Sequence, residues 1–322
     1  MAIMKAAVVT SFGEPPHYGP LEVPRPTTED ELLVDVLAVG FHPRVRTGAA
    51  GAHYTSTGRL PMVPGIDAVG RRDDGTHIYF AVDDGVTGTM AEKAVADRRR
   101  SIELPAGVDV AKVAAAMNPA MSSWVALRRR VPIEPGQAVL VLGATGNAGA
   151  MAVQVAKRLG AGRVVAAGRN AERLGALPDA GADETVRLSA DPEHSSAALA
   201  AAAAEVDIVV DYLWGPPAQH AIPALLTARG DRSRALDWIQ IGAIAGPTIE
   251  LPSVALRSAN LRLQGSGQGS VSGAAYLAEL PSLVAELDAG RIAVNPVARP
   301  LADVEAAWLE PDRPGERTVL LP

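Results

Sequence analysis

The sequence predicts an α/β protein that combines an antiparallel, barrel-like β domain with a doubly wound parallel sheet. Up to about residue 115, short β-like runs are separated by Pro and Gly clusters. From about residue 137, strands alternate with helical segments, which is typical of βαβ units and a parallel sheet. A length of 322 residues favours two domains over a single hydrophobic core.

The elements follow this division in order. The first domain begins with the β-like runs "KAAVVTSF", "ELLVDVLAVGF", "THIYFAV" and "TMAEKAVA". The second domain contains the strands "AVLVLG", "RVVAAG", "ADETVRL", "VDIVVDYL" and "LDWIQIGA", with helices between them, one of which begins at Pro217. The last fifty or so residues contain a helical stretch and then the strand-like pieces "IAVNPVARPL" and "RTVLLP", which could complete the first domain.

The composition favours a globular protein whose partner is a small molecule. Apolar residues make up 48% of the chain and charged residues 20%, and the net charge of −6 is mild. We therefore expect no nucleic-acid or membrane partner. The absence of cysteine excludes disulfides, thiolate nucleophiles and cysteine-ligated metals. No secretory signal or membrane span is evident, so we expect a cytoplasmic protein.

A glycine-rich turn, "GATGNAG", lies between an apolar strand and a helical pattern. In such a turn, backbone N–H groups and the positive end of the following helix can bind a pyrophosphate. The fingerprint here is Ala144-x-Gly146-x-x-Gly149, with alanine at the first glycine position. The alternative is that the glycines serve a tight turn only. The candidate cofactor contacts in this turn are Gly143, Ala144, Thr145, Gly146, Asn147, Ala148 and Gly149.

The end of the next strand indicates which dinucleotide is bound. An NAD site would place Asp or Glu there, whereas this chain has Gly168, Arg169 and Asn170, beginning nineteen residues after Gly149. Arg169 could pair with a 2′-phosphate, with Arg173 one helical turn further on. The alternative is a solvated arginine at a helix start. We expect NADP(H) to be the cofactor.

Three further motifs carry a family resemblance. With "VPGIDAVG", "PAMSSW" and "VLVLGATGNAGAMAVQVAKRLGA" in this order, the chain resembles the medium-chain dehydrogenase/reductase superfamily, in particular its zinc-independent quinone oxidoreductase and enoyl reductase branch. The resemblance implies a GroES-like catalytic domain from residues 1–120 and 270–322. It also implies a Rossmann domain inserted at 121–269, and a homodimer or homotetramer.

The residues that bind catalytic zinc in other members of this superfamily are not kept. The matching positions are His42, Ile66 and Asn118, and of these isoleucine cannot ligate a metal and asparagine is a poor zinc ligand. We therefore expect no metal. Without a Lewis acid, alcohol oxidation is disfavoured, and an acceptor that takes hydride readily, such as a quinone or an α,β-unsaturated carbonyl, is favoured.

Two residues are candidates for assisting the transfer. Tyr54 resembles in position a tyrosine that some enoyl reductases hold near the substrate, and its phenol could donate a hydrogen bond or a proton. The alternative is a tyrosine at a loop tip. His42 stands where the quinone oxidoreductase pattern has asparagine, and a histidine could polarise a carbonyl.

The resemblance implies further cofactor contacts. Ser122 takes the place of a family threonine near the cofactor, and Leu213 would lie in the groove along the dinucleotide. Two segments would approach the nicotinamide, and their residues are Ile241, Gly242 and Ala243 in the first and Gly265, Ser266 and Gly267 in the second. For the second segment, a flexible loop is the alternative.

The sequence therefore predicts an NADPH-dependent, zinc-free reductase of quinones, enones or similar electrophilic carbonyl compounds. Two alternatives remain open. The first is an enoyl-thioester reductase, and the second is a non-catalytic protein that binds NADPH as a sensor or regulator.

Overall fold

The computed structural model describes residues 2–53, 56–83, 85, 87–310 and 315–322. The chain divides into two compact units. Unit 1 contains residues 1–118 and 273–322, and unit 2 contains residues 119–272. The sequence-based boundaries were 120/121 and 269/270. The first boundary falls within helix α2 (Val110–Val125).

Unit 1 contains a two-stranded and a seven-stranded sheet. In the larger sheet the order is β14-β15-β3-β4-β5-β7, and β6 pairs with β3. The strands are β1 (Ile3–Val8), β2 (His17–Glu22), β3 (Glu31–Gly40), β4 (Asp67–Arg71), β5 (His77–Ala81), β6 (Lys93–Asp97), β7 (Ser101–Glu103), β14 (Pro296–Pro300) and β15 (Arg317–Leu321). The helices are α1 (Pro43–Ala49), α8 (Gly273–Asp288) and α9 (Val304–Leu309).

Strand β3 organises this unit. Its first half pairs with β6, its middle with β4 and its end with β15, so the segment after α8 completes the sheet. Buried side chains such as Val34, Val36 and Phe80 form the core. At the end of β3 the chain passes close to α2, because a Cβ at Gly40 would lie only 2.2 Å from the carbonyl oxygen of Ala114.

Unit 2 contains a six-stranded sheet in which every pairing is parallel, in the order β10-β9-β8-β11-β12-β13. The strands are β8 (Ala138–Leu142), β9 (Arg163–Gly168), β10 (Glu184–Arg187), β11 (Ile208–Asp211), β12 (Leu236–Gln240) and β13 (Leu261–Gly265). The helices are α3 (Asn147–Arg158), α4 (Ala171–Ala176), α5 (Pro192–Ala203), α6 (Gly215–Ala228) and α7 (Ser253–Arg257). Four consecutive residues of β8 and all of β11 are buried, as expected for central parallel strands.

The order of the strands creates a switch point. From β8 the chain adds β9 and β10 on one side of the sheet, and then returns to add β11, β12 and β13 on the other side. In open α/β sheets, ligands bind beyond the carboxyl ends of the strands at such a point. In unit 2 this point lies between the ends of β8 and β11.

The predicted combination of a β domain with a parallel α/β sheet is confirmed, but the sheet of unit 1 is not wholly antiparallel, because β14 pairs with β15 in parallel. Two local differences have clear causes. The segment "HYGPLE" forms strand β2, because it pairs with β1 alone and an edge strand tolerates Pro20. Helix α6 begins at Gly215, two residues before the predicted start at Pro217. Within the described part of the chain, no helix is long and apolar enough to cross a membrane.

Candidate functional site

The glycine-rich turn is anchored to the end of the neighbouring strand. The N–H groups of Gly143 and Ala144 both donate to the carbonyl oxygen of Ala167, at 2.9 Å each. The turn closes through a 3.0 Å bond from the N–H of Gly146 to the carbonyl of Gly143. Gly143 has a φ of +86°, a conformation that favours glycine. The backbone from β8 into α3 is therefore fixed.

Three glycines near this turn are required by the fold. Gly143 has the positive φ, a Cβ at Gly149 would lie 2.2 Å from the carbonyl oxygen of Gly143, and a Cβ at Gly168 would lie 2.5 Å from Cγ2 of Thr145. Gly146 differs from these. Its φ of −79° suits any residue, and its nearest neighbour would be the carbonyl oxygen of Gly143 at 3.4 Å. The fold leaves open space at Gly146, where a ligand can approach the backbone.

Helix α3 begins without a side-chain cap. Gly146 is its N-cap residue, and the first turn contains no acidic side chain. The N–H groups of Asn147, Ala148 and Gly149 have no acceptor within the helix, since its first bond runs from the N–H of Ala150 to the carbonyl of Gly146, so they need partners from elsewhere. By contrast, the Asp191 carboxylate accepts from two N–H groups at the start of α5. The start of α3 can therefore bind an anion such as a pyrophosphate.

The end of β9 brings a basic side chain to the same turn. The Arg173 guanidinium donates to the carbonyl oxygen of Thr145 at 2.7 Å. Asn170 caps α4, since its Oδ1 accepts from the N–H of Arg173 at 2.9 Å. Arg169 is exposed and has no hydrogen bond or ion pair within the described residues. Two arginines thus follow β9, one fixed against the turn and one available to an anionic ligand.

The turn after β11 is built on a buried carboxylate. Asp211 has no exposed surface; its Oδ1 accepts from the N–H groups of Leu213 (2.7 Å) and Trp214 (3.0 Å), and its Oδ2 accepts from the Trp238 indole (3.0 Å). Burial raises the pKa of Asp211, while these three donors oppose the shift. Leu213 lies against Gly143, because a Cβ there would be 3.0 Å from the Leu213 Cδ2.

The sequence analysis missed Tyr212, which lies at this switch point. Its hydroxyl is 2.8 Å from Oγ of Ser122, and burial raises the pKa of the phenol to about 12. Its N–H donates to the carbonyl of Leu142 at the end of β8. The signal available in the sequence was its position directly after a strand of four buried residues, where parallel strands present ligand-binding side chains.

The two segments predicted to approach the nicotinamide follow β12 and β13. The N–H groups of Ile241 and Gly242 donate to the carbonyl of Asp211, and a Cβ at Gly242 would lie 2.8 Å from the carbonyl oxygen of Tyr212. Ala243 follows in the same segment. In the second segment, Gly265 and its successors are held by Arg130.

Arg130 belongs to a π-helical turn, Ala126–Arg130. Its Nε donates to the carbonyl of Gly265 (2.9 Å) and its Nη1 to that of Ser270 (3.3 Å). The buried Ser266 donates its N–H to Gln240, and the N–H of Gly267 donates to Oγ of Ser270. These bonds fix the backbone of residues 265–270.

In unit 1, His42 belongs to a buried hydrogen-bonded chain. His42, Asp67 and Tyr79 are each at most 2% exposed. Nε2 of His42 is 3.0 Å from Oδ1 of Asp67, and the Tyr79 hydroxyl donates to Oδ2 at 2.8 Å. Because a carboxylate only accepts, Nε2 carries the imidazole proton and Nδ1 is an acceptor. No partner for Nδ1 is found in the described part of the chain. Tyr54 lies outside the described residues.

Burial favours the neutral form of the His42 imidazole. Burial lowers the pKa of His42; Asp67 opposes the shift, and the cations Arg317 and Arg44 add to it. Burial and the Asp67 charge raise the pKa of Tyr79 well above its usual range.

The residues at the corresponding metal position do not fit zinc. Asp67 is occupied by His42 and Tyr79, and its neighbour Ile66 has no ligating atom. Within the described residues, no group of three His, Cys, Asp or Glu side chains could hold a metal ion.

Comparisons with known proteins agree on one family. Residues 148–285 match the family model described as zinc-binding dehydrogenase. A probable NADPH-dependent quinone reductase from Emericella nidulans is 32% identical, over 99% of this chain and 100% of the relative. A quinone oxidoreductase from Lama guanicoe is 33% identical over a segment that covers 48% of this chain and 50% of the relative. A trans-enoyl reductase from Aspergillus terreus is 25% identical over 41% of this chain and 42% of its own.

Solved structures share the fold. The quinone oxidoreductase of Thermus thermophilus, solved alone and with NADPH, has a TM-score of 0.79 and 28% identity, covering 99% of this chain and 100% of its own. A mycobacterial quinone oxidoreductase has a TM-score of 0.83 with 23% identity over 99% of this chain and 100% of its own.

Because there is open space at Gly146, we expect a substitution there to weaken cofactor binding much more than it weakens the fold. Gly146→Ala should reduce the free energy of unfolding by no more than about 1 kcal/mol, the cost of alanine at an N-cap, because neither φ nor contacts oppose a methyl group. It should weaken NADPH binding about tenfold or more by holding the pyrophosphate away from the N–H groups, a change to be measured by fluorescence titration. Gly175→Ala, in open space on α4, is the control. Equal NADPH affinity of both variants would contradict a phosphate site here.

The buried hydrogen bonds of His42, Asp67 and Tyr79 predict that the free energy of unfolding depends on pH. The folded pKa of His42 lies below the unfolded value of about 6.5, so below that pH the unfolded chain binds more protons and stability is lost. One proton contributes at most about 1.4 kcal/mol per pH unit. In His42→Gln, the urea midpoint should depend less on pH between about pH 7.5 and 5.5 than in the wild type. His194→Gln, at an exposed position, should keep the wild-type dependence. The interpretation fails if both variants keep the wild-type slope.

Proposed function

This chain belongs to the quinone oxidoreductase branch of the medium-chain dehydrogenase/reductase superfamily, and we propose that it is an NADPH-dependent reductase of quinones, enones or similar electrophilic carbonyl compounds. The observation that carries the proposal is the uncapped start of α3, with open space at Gly146. Relatives named as NADPH-dependent quinone reductase and quinone oxidoreductase support it.

The cofactor fits the residues of unit 2. When bound, NADPH supplies the hydride. In the proposed site, the N–H groups of residues 147–149 bind the pyrophosphate, and Leu213 lines the dinucleotide groove. The segments 241–243 and 265–267 form the surface for the nicotinamide. Their backbones are held by Asp211 and Arg130, so the surface requires little rearrangement on binding.

The preference for NADPH rests on the end of β9. No carboxylate follows the strand, and Arg169 is exposed and available to a 2′-phosphate. Arg173, fixed on Thr145, adds positive charge nearby and limits how far the phosphate can move. An NADH-specific site would instead offer a carboxylate to the ribose hydroxyls.

The proposed reaction proceeds without zinc. At the metal position, unit 1 has a neutral imidazole that donates to Asp67, and this arrangement supports an acceptor that needs no Lewis acid. We retain His42 as a proposed catalytic residue, a hydrogen-bond acceptor through Nδ1. Tyr54 remains a proposed donor.

We also propose a homodimer, and a location in the cytoplasm where NADPH is available. Strand β13 is an edge of the parallel sheet, with Leu263 38% exposed. Helix α7 contacts β13, and its side chains Val254 and Leu256 are 55% and 52% exposed. An edge strand beside apolar side chains favours pairing with a second copy through its backbone groups.

The function is tested by following NADPH and NADH oxidation separately against a panel of ortho- and para-quinones, simple enones and an enoyl-CoA. We expect turnover of quinones or enones with NADPH. A preference for the enoyl-CoA would favour the enoyl-thioester reductase. NADPH binding without any turnover would favour the non-catalytic sensor, and no binding of either cofactor would refute the site in unit 2.

Within this assay, Arg169→Ala should raise the KM for NADPH about tenfold to a hundredfold, because a charge-assisted contact to the 2′-phosphate is lost. The KM for NADH should not change. Arg163→Ala, at the other end of β9, removes an equal charge and should affect neither KM. A parallel loss with both cofactors in Arg169→Ala would show that this residue does not bind the 2′-phosphate.

The dimer is tested by a charge on the edge strand. Leu263→Lys should shift the mass measured by light scattering after gel filtration from dimer to monomer, because a lysine opposes pairing at an edge. Leu309→Lys adds the same charge at a leucine in unit 1 that is 75% exposed, and should remain dimeric. A wild-type monomer, or a dimeric Leu263→Lys variant, would remove the edge strand from the proposal.

A further inference from the structure

The loops that follow β11 and β12 continue the pairing of these two strands beyond their carboxyl ends. The N–H of Ala245 donates to the carbonyl of Leu213 at 2.9 Å. One residue further along each loop, Trp214 and Gly246 form a parallel bridge. The two loops therefore form one surface, which we call the β11–β12 ledge. It consists of residues 212–215 and 241–246.

The backbone of the β11–β12 ledge is held in one conformation. Trp214 has a φ of +51°, the only positive φ at a non-glycine residue in the described part of the chain, and its N–H donates to the buried Asp211 carboxylate at 3.0 Å. A Cβ on the next residue, Gly215, would lie 2.7 Å from the carbonyl oxygen of Ala245. Strain of this kind persists only where the surroundings enforce it, and it concentrates at binding sites.

The β11–β12 ledge presents an apolar, uncharged face. Ile244 is 81% exposed, the highest value for a large apolar side chain in the described part of the chain, and Ala243 and Ala245 beside it are also exposed. The sequence has no charged residue in 212–219 or in 241–249. Because the backbone beneath Ile244 is already fixed, an apolar ring that covers this side chain gains buried surface at little cost in ordering the protein.

The position of the β11–β12 ledge in the sheet indicates what covers Ile244. The hydrogen bonds of the second loop run to the loop after β11, and so toward the switch point between β8 and β11. Strand β13, the edge proposed for the dimer, lies on the other side of β12. Ligands of such sheets bind beyond the carboxyl ends of the strands at the switch point. The exposed isoleucine is therefore better placed for a small molecule than for a second copy.

We propose that Ile244 is a specificity-determining residue that contacts the apolar ring of the hydride acceptor, so that the protein favours quinones with fused rings. The inference rests on the proposed function and extends it by naming the class of acceptor. The charge of the β11–β12 ledge suits this class, because an uncharged ring needs no counterion. A CoA thioester would bring several phosphate groups, for which the ledge has no cation.

The test measures acceptor binding with saturating NADP⁺, so that no hydride is transferred. The probes are 1,4-benzoquinone, 1,4-naphthoquinone and 9,10-phenanthrenequinone, which differ in the number of fused rings, and equilibrium dialysis gives their dissociation constants. The chain has no cysteine, so addition of a thiol to the quinones does not interfere. In the wild type, the Kd should fall with each added ring, because each ring buries more apolar surface against Ile244.

Ile244→Ser should raise the Kd of 9,10-phenanthrenequinone about tenfold and that of 1,4-benzoquinone less than about twofold. Ile244→Val, which keeps most of the apolar side chain, should stay within about twofold of the wild type for all three probes. Leu309→Ser removes an apolar side chain of similar size that is 75% exposed in unit 1, and should change none of the constants. Urea midpoints should be the same for all variants, because both positions are exposed.

The proposal is overturned if the wild type binds none of the three quinones, or if Ile244→Ser weakens all three by the same factor. It is also overturned if Ile244→Ser turns a dimer into a monomer in light scattering, which would assign Ile244 to contact with a second copy. Failure of the proposed function is a separate result, in which the wild type binds the quinones with NADP⁺ but oxidises NADPH with none of them. The dialysis constants decide on Ile244 in that case as well.

Discussion

The uncapped amino end of α3 is the constraint on which unit 2 depends. A helix leaves its first N–H groups without internal acceptors, and a fold normally supplies them from side chains. Unit 2 does so at α4 with Asn170 and at α5 with Asp191, and the buried Arg229 donates to the carbonyls of Ala204 and Val206. At α3 the N-cap is Gly146, which has no side chain to offer. The N–H groups at the start of α3 are therefore left for a ligand, as proposed.

The two units treat buried charge differently. In unit 2 the Asp211 carboxylate is stabilised by three N–H donors, which turn it into a support for the backbone of the switch point. In unit 1 the Asp67 carboxylate accepts from an imidazole and a phenol, and its surroundings include Arg317 and Arg44. A zinc ion would need these same lone pairs. Here the imidazole of His42 and the phenol of Tyr79 already bond to them.

Much of the fold could be predicted from the sequence because its signals are local. Strand and helix periods, and a glycine turn between them, identified the parallel sheet before any contact was known. The features that sequence analysis missed depend on contacts between distant segments. Strand β2 exists because β1 pairs with it, and Tyr212 matters because β11 ends beside β8 and Ser122 lies within reach of its hydroxyl. Asn170 was a predicted cofactor contact, yet its oxygen caps α4; the roles of the other predicted site residues remain predictions.

The direction of the hydrogen bonds in unit 1 bears on which substrates we propose as hydride acceptors. Hydride transfer to a carbonyl carbon of a simple ketone leaves a strongly basic alkoxide, which needs a proton at once. Neither described member of the chain can provide one readily, because the imidazole proton of His42 is held by Asp67 and the phenol proton of Tyr79 is held by the same carboxylate. A quinone or enone instead spreads the negative charge over a conjugated system, and the anion can take its proton from water. We therefore propose conjugated acceptors rather than simple ketones as the substrates.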